Sequence, residues 1–94
     1  MSHDSHDSLP RLIYMANQIG AFFATQKHDR AVVGIAKHVK DFWEPRMRAK
    51  IEDHISEGGE GLTPLVVESL KTLPPVKRTD IPVARAAETL PTHH

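Results

Sequence analysis

His3 and His6 stand three residues apart with Asp4 and Asp7 between and after them, a mixture of imidazole and carboxylate that suits a divalent metal. The pair lies in a polar stretch, MSHDSHDS, with nothing to fix ligand geometry or to supply the outer hydrogen bonds that a metal-bound imidazole uses. His28, His38 and His54 fall on separate segments, the last two at the margins of apolar faces, where a partly exposed histidine is ordinary. His93 and His94 are a bare dipeptide. With no cysteine, the chain has no thiolate for zinc, no iron–sulfur ligand, no disulfide and no cysteine nucleophile. No metal site is expected.

Other reactive types fare no better. Ser56 and Ser69 sit in helical pattern rather than on a strained elbow, and no G-x-S-x-G occurs. The glycines of GGEG, Gly58, Gly59 and Gly61, follow a helix rather than a strand and lack the lysine and hydroxyl of a phosphate loop. Their use is in backbone angles that other residues avoid. Arg46, Arg48 and Lys50 in PRMRAK offer three cations to phosphates, but Glu44, Glu52 and Asp53 stand among them. Twelve basic residues also balance twelve acidic ones, whereas nucleic-acid binders need a net basic field. The reading is a chain with no catalytic, cofactor-binding or metal residues and no nucleic-acid partner.

The elements that must hold these residues are helices. Residues 1–7 are polar and predict a mobile segment. Ser8 is a plausible N-cap and Pro10 is tolerated in a first turn. Apolar residues at 9, 12, 13, 16, 19, 20 and 23 then predict a helix from Leu9 to about Gln26. Its apolar and small residues spread over roughly 200°, more than the stripe of an ordinary surface helix. Met15 and Phe22 form the surplus edge, which either wraps into the fold or docks on a partner. Ala16, Gly20 and Ala24 make a stripe of small residues that permits close helix approach.

Asp29 is the expected cap of a second helix reaching Phe42 or Trp43, with Val32, Ile35, Ala36, Val39, Phe42 and Trp43 on one face. Pro45 ends it by pushing Glu44 out of the helical region, and opens a third helix to about Glu57. That helix carries the stripe Met47, Ile51, Ile55 and the pairs Glu44–Arg48 and Arg48–Glu52. SEGGEGL breaks the chain, and Thr63–Pro64 starts a short fourth helix with Leu65, Val66, Ser69, Leu70 and Leu73 inward.

The fold class is all-α: four short helices over residues 8–73, with a disordered N-terminal segment before them. Residues 74–94, with four prolines and no sustained period, form an extended tail that orders only along a partner. No apolar run approaches the ~20 residues of a membrane span, and the opening residues have no secretory pattern. The lack of cysteine fits a reducing cytoplasm.

Three blocks in order, YMANQIGAFFATQ, HVKDFWEPRMRAKI and EGGEGLTPLVVESL, resemble the delta subunit of soluble, NAD-dependent, molybdenum-containing formate dehydrogenases. The resemblance covers roughly residues 9–73. It rests on Met15-Ala16-Asn17-Gln18-Ile19 with Phe22-Phe23, on Phe42-Trp43 with Pro45-Arg46-Met47-Arg48, and on Gly58-Gly59 and Gly61-Leu62 with Pro64-Leu65-Val66. Glu44 stands where that pattern has aspartate, and Thr63 where aspartate is also familiar. Thr63 remains a good cap; Glu44 is a poorer one.

The resemblance implies a multisubunit enzyme that oxidises formate to carbon dioxide and reduces NAD⁺ to NADH. In that family the large alpha subunit carries the molybdenum bis-guanine-dinucleotide cofactor and iron–sulfur clusters. The beta and gamma subunits carry FMN, further clusters and the NAD site. The delta subunit holds no redox group and supports assembly or stability. On this reading Met15, Asn17, Phe22, Trp43, Arg46 and Arg48 are the candidate partner interface, on the large subunit. Tryptophan and arginine are the residues most enriched at binding hot spots, and the rival use of this turn is as an internal helix junction. The alternatives are a dissociable chaperone for molybdenum-cofactor loading, a small nucleic-acid-associated regulator and a free-standing metal protein.

Overall fold

Prolines set the starts of three of the four helices. The computed structural model describes residues 8–77 and contains α1 (Leu9–Phe23), α2 (His28–Phe42), α3 (Pro45–Ser56) and α4 (Pro64–Lys71), with no strand among the described residues. The fold is all-α, as the periodicity predicts. Pro10, Pro45 and Pro64 each lie in a first turn, where the missing N–H has no helical partner to lose. Readings that fall on residues 1–7 and 78–94, including His3, His6, His93, His94 and most of the Pro-rich tail, lie outside the described residues.

Three boundaries differ from the sequence reading, one of them the end of α4, which stops at Lys71 and leaves Leu73 outside it. α1 ends at Phe23 rather than Gln26, and Gln26 N closes a turn onto Phe23 O at 3.0 Å. Lys27, not Asp29, is the N-cap residue of α2. Asp29 lies in the first turn, where its carboxylate accepts from Arg30 N at 3.1 Å and complements the positive end of the helix.

The core draws on every helix: Leu12 and Ala16 of α1, Ile35 and Val39 of α2, Ile51 of α3, Val66 and Leu70 of α4, with Trp43 and Leu62 from the connections. Each large aliphatic side chain fully enclosed here contributes about 1.5–3 kcal/mol. α2 packs against α4 and α1, and α1 also meets α3 and α4. Of the small stripe, Ala16 and Gly20 are buried inside the fold, whereas Ala24 is exposed and follows the end of α1. A Cβ on Gly20 would lie 2.6 Å from Val66 Cγ2, so the missing side chain is what lets α4 approach.

The α3–α4 connection turns on three glycines, Gly58, Gly59 and Gly61, at φ of 118°, 66° and 91°. These are left-handed angles that glycine adopts without a Cβ penalty. Gly58 N and Gly59 N return to Ile55 O and His54 O at 3.0 and 2.9 Å, closing the end of α3. Thr63 caps α4, its Oγ1 accepting from Val66 N. No helix among the described residues is long and apolar enough to cross a membrane.

Candidate functional site

The six candidate residues do not form one surface. Trp43 is only 6% exposed and belongs to the core. It is the residue after α2, with extended backbone (φ −94°, ψ 137°), and Glu44 is extended as Pro45 requires. Leaving the helix at this point carries the indole inward. Phe42, expected to join Trp43 in pinning α2, is the last helical residue and is 72% exposed. Its ring lies 4.8 Å from the His38 imidazole, one turn earlier on α2.

Both arginines of the turn face their own chain. Arg48 Nη2 donates to Pro74 O at 2.8 Å and to Glu52 Oε2 at 3.5 Å. Arg46 is half-buried with Nη2 3.9 Å from Glu44 Oε1. The expected Glu44–Arg48 pair is replaced by this contact, because Arg48 turns instead toward Pro74. Asn17 also works inside the fold. Its Nδ2 donates to Gly61 O at 2.8 Å and its Oδ1 accepts from Thr63 N at 3.1 Å, tying α1 to the loop before α4. One amide thus satisfies a donor and an acceptor that the turn leaves open.

What remains outward is apolar. Phe22 is 71% exposed and meets Phe23 edge-to-face, with ring centroids 5.1 Å apart. Met15 is half-buried against the core, one turn before Ile19. Gln18, Ile19, Phe22, Phe23 and His38 line an open groove of about 370 Å³ between α1 and α2. Phe42 stands beside it through His38. Two rings of this size left in water on adjacent helices form the kind of apolar patch that marks a contact surface. The surplus edge of α1 is legible in its wide apolar arc. The α2 half was missed; the i, i+4 spacing of His38 and Phe42 is the signal that carried it.

The polar groups with reactive potential are engaged locally. His28 Nε2 is 2.9 Å from Glu68 Oε2, joining α2 to α4, and His54 Nε2 is 2.6 Å from Glu60 O. The amides that would have to cradle a phosphate in the glycine loop already serve the chain: those of Gly58 and Gly59 close α3, and that of Leu62 reaches Gly59 O at 3.0 Å. Among the described residues no three His, Asp or Glu side chains converge to hold a metal ion. Ser69 is enclosed, its hydroxyl donating to Leu65 O at 2.7 Å.

This arrangement presents an apolar face on a helical body braced by short polar ties. The family model described as NADH-dependent formate dehydrogenase delta subunit FdsD matches residues 11–70, a span from the first turn of α1 to Leu70 of α4. Among the curated proteins and among the solved structures, nothing matches. The chain belongs to the family of formate dehydrogenase delta subunits.

Proposed function

We propose that this chain is a noncatalytic subunit of a soluble, cytoplasmic, multisubunit NAD-dependent formate dehydrogenase, and that it supports assembly or stability of that complex. The enzyme converts formate and NAD⁺ to carbon dioxide and NADH. The large alpha subunit, with its molybdenum cofactor and iron–sulfur clusters, is the partner, and the FMN-bearing part of the enzyme, the beta and gamma subunits, completes the assembly. A chain without cysteine has no thiolate to offer a cluster.

The observation that carries this reading is the α1–α2 face. Phe22 and Phe42 are more than two-thirds exposed; Phe22 lines the groove with Ile19 and Phe23, and Phe42 meets the groove's His38 ring. Large apolar rings in such positions are hot-spot material, and they gain most when a partner excludes water from them. Met15 continues the same edge. Trp43 acts from inside by holding the end of α2 in place, while Arg46 and Arg48 act through the turn they stabilise.

Affinity purification of the tagged chain from its native cells tests the assignment, with mass spectrometry and a formate-dependent NAD⁺ reduction assay on the eluate. Stoichiometric recovery with an active molybdoprotein is the expected result. Recovery only with an inactive large subunit lacking its cofactor favours a dissociable chaperone instead. Recovery of neither overturns the subunit reading.

A further inference from the structure

We propose that Arg48 and Glu52 form a main-chain clamp that fixes the place where the C-terminal segment leaves the helical body. The two residues are one turn apart on α3, with side chains only 14% and 22% exposed. Arg48 Nη2 donates to Pro74 O at 2.8 Å, and both carboxylate oxygens of Glu52 accept from Val76 N, at 3.1 and 3.2 Å. Pro74 and Val76 are alternate residues, so in an extended segment the carbonyl of one and the amide of the other point to the same edge. An Arg–Glu pair at i, i+4 offers that edge one donor and one acceptor. It reads backbone, as a neighbouring strand would, and both bonds are charge-assisted.

The segment's own sequence suits this device. Pro74 and Pro75 have no N–H to leave unpaired, and their rings hold φ near about −65°, so little conformational freedom is lost on docking. Val76 supplies the first amide after them, and Glu52 takes it. Arg48 Nε is enclosed without a hydrogen-bond partner, a desolvation cost that the two bonds from Nη2 offset. Lys40 of α2, Arg48, Pro74, Pro75, Val76 and Lys77 line one groove of about 250 Å³. Residues 74–77 therefore lie beside α2 and α3. The clamp is independent of whether the α1–α2 groove meets a partner.

Amide hydrogen exchange on the full-length chain tests it. In the wild type the Val76 amide is expected to exchange at least about tenfold more slowly than in a free peptide, since a hydrogen bond to a charged group is involved. Glu52→Ala is expected to abolish that protection while the amides of α1 and α2 keep theirs. If Glu52→Ala fails to fold, Val76→Pro and Val76→Ala decide, because both remove the isopropyl group and only the first removes the N–H. Tryptic cleavage after Lys77, normalised to a free peptide of the same sequence, is then expected to rise several-fold in Val76→Pro relative to Val76→Ala. Free-peptide exchange of Val76 in the wild type overturns the clamp, as does equal cleavage of the two variants.

Discussion

Gly20 and Gly34 both lie in helices, and a Cβ at either would meet a neighbouring side-chain atom at 2.6 Å. The consequences should differ because the neighbours differ. At Gly20 the obstacle is Val66, β-branched, stiff and fully enclosed on α4. At Gly34 it is the ring of Phe23, half-buried at the last turn of α1 and able to swing outward. Gly20→Ala is expected to destabilise by about 1–3 kcal/mol through overpacking. Gly34→Ala should come within about 1 kcal/mol of neutral, helped by alanine's better helix propensity. Urea unfolding followed by circular dichroism compares them directly. Asn17→Ala should cost about 0.5–1.5 kcal/mol, since it removes the bonds to Gly61 O and Thr63 N, both exposed enough for water to replace the amide. The small stripe of α1 was legible from spacing alone. The partners of Asn17 were not, because they lie 44 and 46 positions away and only the tertiary fold brings them near.

Helix boundaries were legible where proline and glycine dictate them. Pro45, Pro64 and the positive-φ glycines at 58, 59 and 61 sit where the sequence alone requires a start or a turn. The order at the end of α2 was not legible. One helical step rotates a side chain by about 100°, so ending the helix before Trp43 rather than after it decides which aromatic is enclosed. Capping is the testable energy at this scale: Thr63→Ala should lower stability by about 1 kcal/mol, measured as a shift in the denaturation midpoint. The Lys37–Asp41 pair on the outer face of α2 has a pH signature. The hydrogen bond from Lys37 holds the Asp41 carboxyl below its usual range, and the same bond raises the lysine. The contribution is therefore present above the ordinary aspartate pKa and fades as pH falls through the lower folded value. At the alkaline end it is present below the ordinary lysine pKa and fades as pH rises through the raised one. Thermal melts of wild type and Asp41→Asn should converge in acid and differ only slightly at neutral pH.

For the molecule as a whole, the division of labour runs between an enclosed side and an open one. Trp43, Asn17 and Arg48 brace the body, whereas Phe22 and Phe42 remain outside it. The all-α class and the surplus edge of α1 could be read from periodicity; the split of the candidate residues into two roles could not, since it depends on packing among distant elements. Phe22→Ser with Phe42→Ser should destabilise by no more than about 1–2 kcal/mol, the loss of the ring contacts to Phe23 and His38, and leave the fold intact. The most direct measurement is co-purification of the formate dehydrogenase subunits with this double variant, alongside formate-dependent NAD⁺ reduction. A folded variant is expected whose association with the large subunit falls at least about tenfold, as for the loss of a hot spot. Wild-type recovery of the complex by a folded double variant would contradict a docking role for the α1–α2 face.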